Sequence, residues 1–71
     1  MEIKQFDKVE LISDYVVDRI TNEGQKKDIY KKGSIGYAVD ILNDKDAFVE
    51  FSYKEYSNPV AAVPLSLLKK I

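Results

Sequence analysis

The sequence contains neither cysteine nor histidine, and these two absences exclude several classes of function. Without cysteine the chain has no disulfide and no thiolate metal site, two common ways of stabilising a small domain. General acid–base catalysis would fall to Asp, Glu, Lys or Tyr, and nucleophilic catalysis to Ser, Thr or Lys. None of the five serines lies in a nucleophile-elbow sequence. We therefore expect no enzymatic activity and no cofactor.

Long apolar runs are missing as well. The N-terminus has no basic start followed by an apolar run, so we expect no signal peptide. No stretch approaches the roughly 18 apolar residues of a membrane span, so we expect a cytoplasmic protein with no membrane partner. The 71 residues would form one domain, 1–71. A domain of this size buries only about 60% of the surface of its unfolded chain, which predicts marginal stability.

Glycine and proline are few, and they separate stretches in which apolar and polar residues alternate. Alternation with a period of two is typical of half-buried strands. The pattern predicts a hairpin of strands 35–42 and 47–54 around the turn "NDKD", and then a short strand at 60–63. Pro64 cannot donate a sheet hydrogen bond, so that strand should end there. "PLSLL" should form a single 3₁₀ or helical turn before a last short strand in "KKI".

The N-terminal half allows two interpretations. The apolar residues of "KVELISDYVVDRI" match the spacing of an amphipathic helix. Many of them are β-branched, however, which favours strands. We predict a strand over 7–13 and a long arm over 15–32, with a turn at 22–25.

The alternation also predicts which side chains form the core. If the odd-numbered residues of the hairpin face inward, the most buried side chains are those of Val39, Ile41, Val49 and Phe51, with Leu11 and Leu68 packed onto them. Tyr37 would then belong to the core and Phe48 would point outward. In "KKGSIG", Gly33 is expected to have a positive φ. Gly36 is expected to let the strand coil or let another backbone approach closely.

Charge is abundant, nearly balanced and unevenly distributed: 11 Lys and Arg against 12 Asp and Glu give a net charge of −1. The segment "KKDIYKK" has four lysines and one aspartate, whereas residues 40–55 have five acids and two lysines. Three of those acids, in and beside "NDKD", lack the spacing of a calcium loop, which favours a solvated turn over a metal site.

Two candidate binding surfaces follow from this charge distribution. The first is acidic and aromatic, would contact a basic partner, and consists of Asp40, Asp44, Asp46, Glu50, Glu55, Tyr53 and Tyr56. The second is basic, would contact RNA with its tyrosine as a stacking platform, and consists of Lys26, Lys27, Tyr30, Lys31 and Lys32. Each stretch could equally be a solvated surface or the cover of a barrel end.

The order of strand, long arm, hairpin, short strand, single turn and last strand is that of an SH3-like barrel. The segments "FDKVELI", "KKGSIGYAVDIL", "AFVEF" and "AVPLSLLKKI" resemble a bacterial family of very small SH3-like proteins of uncharacterised function. Members of that family read approximately D-x-V-x-L, K-K-G-x-x-G-x-V, Y-x-V-E-F and A-V-x-x-L. The resemblance covers nearly the whole chain except about residues 14–29, where this arm is longer. It implies an all-β barrel of four to five antiparallel strands with a long first loop.

Some members of that family look like immunity proteins encoded beside toxins of contact-dependent or polymorphic toxin systems. The resemblance therefore implies a non-catalytic protein that binds and neutralises a cognate toxin, with a nuclease as the expected toxin. The glycine pair of "KKGSIG" also resembles the KOW motif of ribosomal and transcription-elongation proteins, which implies an RNA- or ribosome-associated module instead. A third interpretation is an accessory subunit, since other SH3-like barrels dock on larger enzymes.

Overall fold

Seven strands and one 3₁₀ turn make up the regular structure of residues 2–52 and 59–71, which the computed structural model describes. The strands are β1 (Lys8–Leu11), β2 (Tyr15–Thr21), β3 (Gly24–Tyr30), β4 (Ile35–Leu42), β5 (Asp46–Phe51), β6 (Val60–Pro64) and β7 (Leu68–Lys70). The 3₁₀ turn, Leu65–Leu67, joins β6 to β7. Within these described ranges, no helix has the length and apolar character needed to span a membrane.

Five of the strands form one antiparallel sheet in the order β6-β5-β4-β1-β7, while β2 and β3 form a separate two-stranded ribbon. The ribbon is inserted between the first and second strands of the sheet, and the 3₁₀ turn precedes its last strand. This connectivity is that of an SH3-like barrel, so the predicted fold class is confirmed.

The predicted hairpin is present, and β4 has the predicted bounds. In β5 the described strand ends at Phe51, and the last two residues predicted for it lie outside the described residues. Pro64 is the last residue of β6, as expected for a residue without an N–H to donate. It also occupies the N-terminal cap position of the 3₁₀ turn.

The arm between β1 and β4 is a regular ribbon, paired from Tyr15 opposite Tyr30 to Thr21 opposite Gly24. The helical alternative for this segment is therefore wrong, because its β-branched residues occupy β2. The turn occupies 22–23, within the predicted 22–25, because Gly24 and Gln25 already pair as the first residues of β3. In it, the Thr21 hydroxyl accepts a hydrogen bond from the Glu23 N–H and donates one to the Gly24 carbonyl.

The core contains residues from both the sheet and the ribbon. Its buried side chains are Val9, Leu11, Tyr30, Ala38, Ala47, Val49, Phe51, Ala61, Val63 and Leu68. Tyr30 is only 1% exposed, and its ring stacks on those of Phe51, at a centroid distance of 5.1 Å, and Tyr15, at 6.5 Å. These stacked rings attach the base of the ribbon to the sheet.

A bulge in β4 reverses the facing of that strand. Ala38 pairs with Val49 and Asp40 pairs with Phe48, so Val39 has no partner on β5. Before the bulge the even residues face inward, and Tyr37 is 47% exposed rather than part of the core. After it, Ile41 lies opposite buried Ala47 and packs against the core. Val39 and Ile41 are both only partly buried, so the prediction that they are among the most buried side chains is wrong.

The two glycines of "KKGSIG" have different backbone roles, and both predictions for them are confirmed. Gly33 has φ +91°, a backbone conformation that residues with a side chain rarely adopt. Gly36 lies against β5: a Cβ atom placed on it would stand 2.5 Å from the carbonyl oxygen of Glu50 and 2.9 Å from Cγ1 of Val49.

We predict that Gly36→Ala lowers the free energy of unfolding by about 1–3 kcal/mol, because the added methyl group overlaps the backbone of a central strand. Urea denaturation of the variant and the wild type measures the difference. Ala62→Ser is the matched control, since it adds one heavy atom at an exposed strand position. Equal stabilities for all three proteins would contradict the close approach.

A second prediction compares two phenylalanines of β5. Phe51 is 3% exposed and Phe48 is 40% exposed. Phe51→Ala should cost about 3–5 kcal/mol, enough to unfold a small domain, because it leaves a cavity against Tyr30. Phe48→Ala should cost about 1 kcal/mol or less. Thermal and urea melts decide the prediction, and a larger loss at Phe48 would mean that the facing of β5 is reversed.

Candidate functional site

Three carboxylates surround an exposed phenylalanine on the outer face of the sheet. Phe48 of β5 lies directly opposite Asp40 of β4 and Ala62 of β6. Asp46 and Glu50 lie two residues before and after it, and therefore on the same face of β5. Opposite positions on paired strands place Cβ atoms about 4.5–5.5 Å apart. We call Phe48, Asp40, Asp46, Glu50 and Tyr37 the acidic–aromatic face.

Tyr37 extends this face along the next cross-strand row. It pairs with Glu50 on one side and with Lys8 on the other, and Glu50 in turn pairs with Val60. Both aromatic rings are substantially exposed, 47% for Tyr37 and 40% for Phe48. Exposed aromatic side chains that lie together are typical of binding surfaces, since they supply contact area with few rotatable bonds.

The bulge at Val39 is what turns Asp40 outward. Without the extra residue, alternation from the outward Tyr37 would point Asp40 into the core and Val39 toward solvent. The carbonyl of Val39 accepts a hydrogen bond from Nε2 of Gln5 at 3.1 Å. The backbone N–H of Phe6 donates to the carbonyl of Ala38. The N-terminal segment thus provides hydrogen-bond partners for β4 at the bulge.

Asp7 holds that N-terminal segment in a tight turn. Its carboxylate accepts a hydrogen bond from the backbone N–H of Lys4 at 2.8 Å and lies 3.5 Å from Nζ of Lys70. The Lys4 hydrogen bond is the main cause that lowers the pKa of the Asp7 carboxyl below its ordinary value of 3.8, and the charge of Lys70 adds to it. The folded structure therefore favours the ionised form of the Asp7 carboxyl.

The acids of the acidic–aromatic face lie outside the ion pairs formed within residues 2–52 and 59–71. Those ion pairs are Arg19–Asp28, Lys26–Glu23 and Lys70–Asp7. Oδ1 of Asp40 accepts a hydrogen bond from the N–H of Ile41 at 2.9 Å. The described carboxylates form no cluster with the geometry of a metal site. The face therefore presents negative charge to solvent.

Asp44 lies apart from this group, in the turn between β4 and β5, where it has φ +58°. It lines an open groove at the end of the barrel together with Glu2, Ile3 and Leu65. The remaining predicted members of the acidic surface, Tyr53, Glu55 and Tyr56, lie outside the described residues.

The predicted basic surface is interleaved with acids. Lys26 forms an ion pair with Glu23, with 3.2 Å between Nζ and Oε2, and Lys27 lies opposite Asp18 in the ribbon. Lys31 and Lys32 follow β3, where the backbone N–H of Lys32 donates to Oδ1 of Asp14 at 2.7 Å. The stacking platform proposed on Tyr30 is wrong, because this side chain is buried between Tyr15 and Phe51 and cannot reach a base.

Sequence reasoning missed Tyr37 as a member of the site. The alternation over 35–42 is regular, and no residue in it marks the bulge. The outward orientation of Phe48 was predicted, since β5 is free of irregularities and its facing follows the alternation.

No family model, curated protein or solved structure matches the chain.

The turn held by Asp7 generates a pH prediction. Because the pKa of Asp7 is lowered in the folded state, its contribution to stability is fully present above the ordinary value of 3.8 and is lost as the pH falls through the lower folded value. Asp7→Asn should thus be less stable than the wild type near neutral pH, and the difference should shrink below about pH 3.8. Urea denaturation of the two proteins, once near neutral pH and once below about pH 3.8, measures this difference in stability.

Lys70→Met is the comparison that separates the two causes. Lys70→Met removes the ion pair but leaves the hydrogen bond from Lys4 to Asp7. The stability of Lys70→Met should therefore still fall with decreasing pH by most of the amount seen for the wild type. A stability difference between Asp7→Asn and the wild type that does not change with pH would contradict the role assigned to the ionised carboxylate.

Proposed function

We propose that this chain is a non-catalytic binding protein whose acidic–aromatic face covers a basic surface of a protein partner. The observation that carries the proposal is the exposed Phe48 with Asp40, Asp46 and Glu50 around it on one face. An aromatic contact gives affinity at the centre of an interface. Carboxylates around it select a positively charged partner and accelerate its association.

The partner we propose is a cognate bacterial toxin, and within that class a nuclease. This step rests on the resemblance of "KKGSIGYAVDIL" and "AFVEF" to small SH3-like proteins, some of which look like immunity proteins. A nuclease presents a basic cleft to the phosphates of its substrate, so an acidic face of similar extent is complementary to it. An inhibitor of a toxin that acts in the cytoplasm would be needed in that compartment.

RNA binding receives less support from the same surfaces. Each described lysine of the ribbon lies beside or opposite an acid, as Lys27 lies opposite Asp18. A generalised nucleic-acid binder has a clearly basic face, whereas this chain has a net charge of −1.

The test is a charge reversal on the acidic–aromatic face. Asp40→Lys/Glu50→Lys should slow association with the toxin by about 10-fold or more at low salt, and by less at high salt where charges are screened. Folding should change little, because both side chains are exposed. The probe is the variable C-terminal domain of a secreted protein encoded beside this gene, with association rates measured at two salt concentrations.

Glu2→Lys/Glu23→Lys is the matched control, since each double variant changes the net charge by +4, from −1 to +3. The control should associate at nearly the wild-type rate. If both double variants slow association equally, the slowing depends on net charge alone, which would contradict the proposed face. Tighter binding of bulk RNA by Asp40→Lys/Glu50→Lys, without any effect on a protein partner, would favour the RNA-binding alternative.

A further inference from the structure

The ribbon of β2 and β3 carries a second, unrelated surface. Tyr15 and Val17 of β2 pack against the core, so the alternate residues of that strand face away from the barrel. Three of the side chains on this outer face are large, apolar and exposed: Val16 at 51%, Ile29 at 46% and Ile20 at 91%. A two-stranded ribbon is marginally stable by itself. Covering the exposed β-branched side chains of its free face would remove apolar surface from water.

The outer face consists of three cross-strand rows. They are Val16 opposite Ile29, Asp18 opposite Lys27, and Ile20 opposite Gln25. The middle row joins an acid to a base, and the row nearest the barrel is apolar on both strands. This arrangement is complementary to itself under one particular symmetry.

Two copies of the ribbon can stack face to face about either of two in-plane two-fold axes. An axis perpendicular to the strands would bring Asp18 onto Asp18 of the second copy and Lys27 onto its Lys27, which like charges oppose. An axis parallel to the strands brings Asp18 onto Lys27 of the second copy, and Val16 onto its Ile29. The charges of the middle row therefore select the parallel axis.

We propose that the outer face of the ribbon binds a second copy of this chain about a two-fold axis parallel to β2 and β3. This surface lies on different strands from the acidic–aromatic face, so the proposal does not depend on the proposed function. The net charge of −1 produces little repulsion between copies.

The size of the face predicts a weak dimer. Seven residues at about 3.3 Å each and a width of about 10 Å give roughly 230 Å² per copy, or about 460 Å² in total. Stable complexes bury about 1,200 Å² or more, so we expect a weak dimer whose population depends on protein concentration. The dimer would form where the protein is concentrated or held at a common site.

Sedimentation equilibrium between about 50 µM and 2 mM tests the proposal. The mean mass of the wild type should rise from 8.1 kDa toward twice that value. Asp18→Lys and Lys27→Asp should each weaken self-association by about 10-fold or more, because like charges then meet across the interface. A wild type that stays monomeric to the highest concentration overturns the proposal.

The decisive measurement is an equimolar mixture of the Asp18→Lys and Lys27→Asp proteins. In the mixture the new lysine of one variant faces the aspartates of the other, so the heterodimer should form with about the wild-type affinity. Each chain retains its own like-charged row in the mixture, so a rescue can arise only from contacts between chains. Failure of the mixture to associate, with both variants folded by circular dichroism, overturns the proposal.

Glu2→Lys is the matched control for Asp18→Lys, since both variants change the charge by +2 and Glu2 is exposed and lies outside the ribbon. Dimerisation of Glu2→Lys should equal that of the wild type. A loss equal to that of Asp18→Lys would show that self-association follows net charge, and would overturn the proposed interface.

Discussion

One extra residue in β4 decides which side chains of the sheet face the core and which face solvent. The bulge at Val39 lets Ala38 pack beneath the sheet and turns Asp40 outward beside Phe48. Gln5 donates a hydrogen bond to the carbonyl of Val39 at the bulge, and Asp7 holds the turn in the segment that contains Gln5. The turn held by Asp7, the bulge in β4 and the candidate site are thus linked by direct contacts.

The ribbon depends on the sheet in a different way. Its base is anchored by Tyr30, which is stacked between Tyr15 and Phe51, whereas its outer part projects from the barrel. An ion pair on the ribbon, with 2.7 Å between Nε of Arg19 and Oδ2 of Asp28, adds a contact between its two strands. Aromatic packing therefore fixes where the ribbon leaves the barrel, and strand pairing maintains it beyond that point.

The uneven distribution of charge is resolved differently on the two parts of the molecule. On the ribbon, Lys27 lies opposite Asp18, and Lys26 and Arg19 form ion pairs with Glu23 and Asp28. On the sheet, acids of β4 and β5 gather around aromatic rings. A chain that is nearly neutral overall can therefore present one acidic surface and one self-complementary surface.

The sequence by itself determined the hairpin of β4 and β5 and the strand that ends at Pro64, because alternation and the positions of Gly and Pro act locally. The bounds of β4, the inward facing of Val49 and Phe51, and the positive φ of Gly33 all follow from such local rules. The acids of residues 40–55 were also recognised as a possible surface. Which of them share a face was decided only by the tertiary structure, since it depends on cross-strand register and on the bulge.

The same holds for the two tyrosines whose predicted positions were wrong. Tyr30 is buried and Tyr37 exposed, the reverse of their predicted positions. Neither outcome is local. Tyr30 is covered by Tyr15 and by Phe51, 21 residues further along the chain, and Tyr37 lies just before a bulge that gives the two parts of β4 opposite facings. A period-two pattern states that neighbouring side chains alternate. Which side becomes the interior is set by the elements that pack against it.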